Sequence, residues 1–221
     1  MLELHRNRFG AASSIVAGFL YIGMVMLFIV VPVGENAVID HHHYASILNV
    51  GHFLLAFLGL AGLAAVPALT DNLARKPTPF LSFTRLIAMI GFALMSINNF
   101  RQTGLDHQLA HEAMMAGGEV LHTVVIGWAG FVELSPDGWL DFGGVGLWIL
   151  ALSLAVLKSG AAYRKTSLLG IVAGALLLLT VLGNAIGFHP FVVIGIGVGG
   201  LTAIPAWFIT QGILHLKGGV S

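Results

Sequence analysis

Apolar residues fall along this chain in long runs separated by short polar connectors, and the runs are longer than a soluble core helix needs. A run of about 20 predominantly apolar residues matches the hydrocarbon thickness of a bilayer. By this measure the chain has seven spans, at residues 12–31, 47–67, 80–97, 105–131, 145–157, 168–188 and 191–216. Pro32 and Gly34 close the first, Pro77 and Pro79 stiffen the connector before the third, and His189-Pro190 separates the last two. The short alternating segments of a membrane β-barrel are absent. The expected fold class is therefore all-α, a polytopic transmembrane helical bundle, with residues 1–221 forming a single integral membrane domain. A six-span variant follows if residues 99–117 form a polar re-entrant segment buried by protein.

The fourth run, LDHQLAHEAMMAGGEVLHTVVIGWAGF, differs from the others. It is apolar enough to cross a bilayer, yet it carries Asp106, His107, His111, Glu112, Glu119 and His122. At roughly 100° per residue, His107, His111 and His122 lie within about 60° of one another. Ionisable groups facing lipid are costly, so this side is expected to face protein or water.

Composition supports the membrane reading. The hydrophobic set makes up 57% of the chain, charged residues only 9%, and mean hydropathy is +0.92. A soluble domain has about 25% charged residues. Twenty-nine Gly residues suit close helix contacts in lipid. The ten basic and ten acidic residues balance, so nucleic-acid binding has no electrostatic support. The basic head and the Arg75/Lys76 connector predict a cytoplasmic N-terminus in a multi-pass protein of the inner (cytoplasmic) membrane. Seven spans then put the basic connector KSGAAYRK outside, against the same rule.

In the seven-span topology, polar side chains remote in sequence share one depth near the outer face. Asn49 and His52 start span two, Asn98 and Asn99 end span three, His107 and His111 start span four, and Gln211 and His215 end span seven. A loop with His41, His42 and His43 covers that side. Ten His with no Cys point to nitrogen ligation without thiolates. His107-x3-His111 puts two imidazoles on adjacent turns, a usual spacing for a shared metal. His52 and His215 complete a candidate metal set, and His52 with His111 a candidate haem-binding pair. HEAMM lacks the second His of a zincin motif.

The leading expectation is a membrane metalloprotein with haem b or a His-bound Fe, Cu or Zn near the outer face, working in redox or electron transfer with a quinone or lipid reaching the site sideways. A zinc-dependent intramembrane lipid hydrolase is a second expectation. A third is a proton-coupled transporter in which Glu112, Glu119 and His122 carry the proton. The bland alternative is a non-catalytic subunit or assembly factor, joined to a membrane-protein partner or to a second copy of itself.

Overall fold

The computed structural model describes residues 2–30, 37–74, 78–116, 135, 138–158 and 164–217; for 2–7, 28, 37–43, 45 and 104–116 it describes the backbone alone. These residues form six helices long and apolar enough to cross a membrane. We number them α1 (Leu2–Val30), α2 (Ala37–Leu73), α3 (Pro79–Ala116), α4 (Trp139–Lys158), α5 (Arg164–Ala185) and α6 (His189–Leu216). Each packs antiparallel on the next, and α6 returns to α1, so the six close into a ring. The contacts set the register. Gly10 lies on Ala64 and Ala68, Gly23 on Leu54, Gly91 on Leu140, Gly144 on Ile87, and Gly212 on Ala11. Across the ring, Tyr21, Phe92, Trp148, Trp207 and Phe208 fill the centre, each under 2% exposed. Outward, Phe19, Phe57, Phe83, Leu86, Val172 and Leu182 stay exposed, which suits contact with lipid chains.

Two expectations about the spans change. Residues 105–116 prolong α3 instead of opening a new helix, because Gly104 in a helix interior costs only about 1 kcal/mol and leaves the hydrogen-bond ladder intact. The rest of the expected fourth span, 117–134, lies outside the described residues. Further on, α4 runs antiparallel to α3, since Leu140 packs on Gly91 and Gly144 on Ile87. The seven-span topology requires those two helices to be parallel. Among the described residues, then, both chain ends reach one face, here called the terminal face. The conflict over basic residues disappears with this change. Arg6, Arg8, Lys158, Arg164, Lys165 and Lys217 lie at or next to helix ends at the terminal face. Arg85 sits one turn further in, paired with Asp71 at 2.7 Å. Arg101, near the opposite end of α3, is the exception.

Two helices are irregular inside the membrane zone. α4 opens with a π-helical stretch, Trp139–Gly144, entered through Gly138 at φ 75°, a left-handed conformation that glycine adopts without a Cβ clash. α6 is composite. His189–Val192 is α-helical, Val193–Val198 is π-helical, and regular helix stops at Thr202 before Ala203–Leu216 resumes. Pro205 accounts for the stop: it has no N–H for the carbonyl of Leu201, and its ring crowds that group.

Candidate functional site

The α2–α3 hairpin holds the first polar cluster. His52 Nδ1 lies 2.8 Å from Asn99 Oδ1, and Asn99 Nδ2 donates to the carbonyl of Met95 at 2.7 Å. The second bond fixes the amide so that Oδ1 accepts, which makes Nδ1 the protonated nitrogen of His52 and leaves Nε2 the basic one. One turn deeper, Ser96 donates to the carbonyl of Ala56 at 2.6 Å. The carbonyl oxygens of Asn49 and Asn98 are buried without a partner among the described residues.

The expected ligands do not all meet there. His215 ends α6 at the terminal face, where Gly212 packs on Ala11, whereas His52 lies beyond the level of Gly23 near the other end. Matching both to α1 separates them by about 23 Å along the bundle axis at 1.5 Å per residue. The shared depth assigned to His52 and His215, and likewise to Gln211, followed from the span count and falls with it. His107, His111 and Glu112 lie on the part of α3 beyond Thr103, where only backbone is described. His111 is twelve residues past Asn99, about 18 Å of helical rise. The pair expected to hold one haem, His52 and His111, thus sits at two depths on the hairpin. Glu119 and His122 lie outside the described residues. The histidines of 41–43, expected in a loop, occupy the first turns of α2. Among the described residues, no group of three or more His, Asp or Glu gathers as a metal site.

The group that pattern reading missed is Asp141. Its neighbourhood, VELSPDGWLDFGG, reads as a polar connector, but the structure places Asp141 inside α4. The turn packs on Gly91, the residue midway between the ends of the α3 span Pro79–Thr103. A Cβ on Gly91 would strike the backbone of Leu140, so only glycine admits this approach. Asp141 Oδ1 accepts from the Ser135 hydroxyl at 3.0 Å and from the Phe142 N–H at 3.1 Å, while the Leu140 N–H donates to Ser135 Oγ at 3.0 Å. No described Lys, Arg or His pairs with it. A carboxyl held at this depth is costly, and such groups generally mark a pathway for ions or protons. Only its contact with the midpoint of α3 reveals its depth; the flanking Pro136, Asp137 and Gly138 pull any hydropathy window toward a loop. Beside it, a cavity of about 290 Å³ lined by Ile87, Trp139, Leu147 and Leu178 is apolar, suited to a hydrocarbon chain and not to an ion.

A third polar set runs along the inner side of α6. His215 Nδ1 donates to the Gln211 carbonyl at 2.8 Å. Trp207 lies one turn from Gln211, its ring edge-on to Trp148 at 5.6 Å. The Trp148 indole donates to Thr70 Oγ1 at 2.9 Å, and Thr70 donates to the Val66 carbonyl at 2.7 Å, so that tryptophan is satisfied. Trp207 is not: its Nε1 is buried without a partner.

No protein family matches this chain, and no curated protein or solved structure matches it.

Proposed function

We propose that this chain is a multi-pass membrane transport protein that carries protons through its ring of six helices, with Asp141 as the group that binds the proton at mid-membrane. The carrying observation is the backbone of Leu140 and Asp141 against Gly91 at the midpoint of α3, with a carboxyl that has no cationic partner among the described residues. The irregular helices agree with it, since interrupted helices inside a membrane are tolerated where backbone is buried in protein or lines a polar path. Glu112, Glu119 and His122 stay candidates for the half of the route beyond Asp141. Six crossings with the basic face turned to the cytoplasm support a cytoplasmic start of α1 and end of α6, in the cytoplasmic membrane.

The test is proton flux into vesicles that hold the purified protein and a pH-sensitive dye, driven by a potassium diffusion potential. Wild type is expected to acidify the lumen well above protein-free vesicles, and Asp141→Asn, which keeps the Ser135 bond but cannot ionise, to lose that flux at least 100-fold. Flux in Asp141→Asn equal to wild type, or none in wild type, rules the reading out.

A metal centre outside the bilayer is the second reading, supported by the register of α2 on α3. His52 pairs with Asn99 and Ala56 with Ser96, so positions on the two helices sum to about 151 to 152. Carried outward, that register sets the levels of His41, His42 and His43 beside positions 108 to 111 of α3. His107 and His111 therefore share a level with three further imidazoles, and Asp40 and Glu112 flank it. Such a donor set suits Zn, Cu or Ni bound through nitrogen. Titration of the purified protein with Zn²⁺ is expected to show one site that His107→Ala/His111→Ala weakens at least tenfold, with proton flux unchanged. Equal affinity in the double variant removes the site.

A further inference from the structure

Between Asp141 and the terminal face, five buried polar atoms have no partner among the described residues: Tyr21 OH, Ser153 Oγ, Trp207 Nε1, Gln211 Oε1 and His215 Nε2. Tyr21, Ser153, Trp207 and Gln211 are each at most 3% exposed. Nearly all buried polar groups in folded proteins are paired, and a cluster of unpaired ones signals water or an ion.

Four of the five residues line successive turns of α6 or pack on it, and Ser153 faces Trp207 from α4. Asp141 and Ser153 lie on one helix, α4, about 18 Å of helical rise apart. The Tyr21 ring stacks on Phe208 at 5.8 Å, and Phe208 is next to Trp207. Ser153 Oγ and Trp207 Nε1 both crowd the missing Cβ of Gly170, which brings an α4 hydroxyl and an α6 indole to one spot. Gln211 follows one turn along α6 and His215 one turn after that. The carbonyl of Gln211 can only accept, so His215 Nδ1 carries the hydrogen and Nε2 holds the lone pair of the neutral ring.

The donor and acceptor types fit a file of water. Trp207 can only donate and Gln211 Oε1 only accept. The Tyr21 and Ser153 hydroxyls do both, and His215 Nε2 alternates as it gains and loses a proton. We propose that this line is hydrated and is the route by which protons pass between Asp141 and the terminal face; it rests on the reading of Asp141 as the proton-binding group. A proton leaving hydronium at His215 is relayed by hydrogen-bonded water and forms an O–H bond on the Asp141 carboxylate. One charge moves, and no electrons are exchanged. The titratable and charged groups of the surrounding helices, among the described residues, are Tyr21 in the core, and at the terminal face Arg8 of α1, the Asp71–Arg85 pair of α2 and α3, Lys158 of α4, Arg164 and Lys165 of α5, and Lys217 after α6.

Radiolytic hydroxyl footprinting of the intact protein in lipid discs tests the route, because radicals generated from bound water oxidise the side chains that touch it. Trp207 and Trp148 form a matched pair, the same residue type at 1% and 0% exposure in one core. Trp207 is expected to oxidise at least tenfold faster than Trp148, and Gln211→Leu to bring the ratio close to one. Equal, slow oxidation of both tryptophans in wild type overturns the proposal, as does a ratio that Gln211→Leu leaves unchanged. A dry interior with Asp141-dependent flux sinks the route alone; a wet interior without flux sinks the proton-carrier reading.

Discussion

The α2–α3 hairpin and the interior beside α6 are both polar seams inside an apolar ring, and they treat their polar atoms in opposite ways. In the hairpin, His52, Asn99, Ser96 and the carbonyls of Met95 and Ala56 bond across or along the two helices. Beside α6, Ser153, Trp207, Gln211 and His215 each keep a buried atom with no protein partner among the described residues. A side chain bonded between helices contributes to holding them in register. One left without a partner in a packed interior costs stability unless water or an ion meets it. The hairpin is thus read as the joint of the bundle, and the α6 seam as its wet channel.

Three substitutions press on that contrast. Asn99→Leu removes both the acceptor of the His52 N–H and the amide donor to the Met95 carbonyl, so we expect a loss of about 1–2 kcal/mol in a reversible unfolding titration in mixed micelles, with proton flux retained. A cost near zero would show the hairpin bonds to be incidental. The smaller effect concerns the two central tryptophans. Trp148→Phe and Trp207→Phe remove similar volume from one core, but only the first breaks an indole bond to protein, the one to Thr70, while the second gives up a bond to exchangeable water. Trp148→Phe should therefore cost about 1 kcal/mol more than Trp207→Phe in the same titration. Equal costs would mean that Trp207 has a protein partner as strong as Thr70.

Most of the membrane character was legible in the linear pattern, since hydropathy is a local average and every helix here is long compared with the window. The second, third, fifth and seventh runs fall within observed helices, the sixth passes the end of α5 by three residues, and the first matches α1 as far as Val30. Gly104 and the polar residues around it misled, because in a helix this long one glycine and a few polar side chains are too weak to end the ladder. Asp141 misled in the opposite direction: Pro136, Asp137 and Gly138 mark a turn, but a turn does not tell how deep it lies.

From the sequence alone came the bilayer as surroundings, the helical class and an unusual supply of imidazoles, because these depend on composition and on periodicities of a few residues. Which end of the bundle His52 and His215 reach, and which carboxyl lies beside the midpoint of α3, came only from helix against helix. The direction of α4 rests on Leu140 meeting Gly91 and Gly144 meeting Ile87, contacts between residues about fifty positions apart. That direction moved His215 from one membrane face to the other. Packing between distant glycines sets depth and direction, and no window along the chain contains both partners.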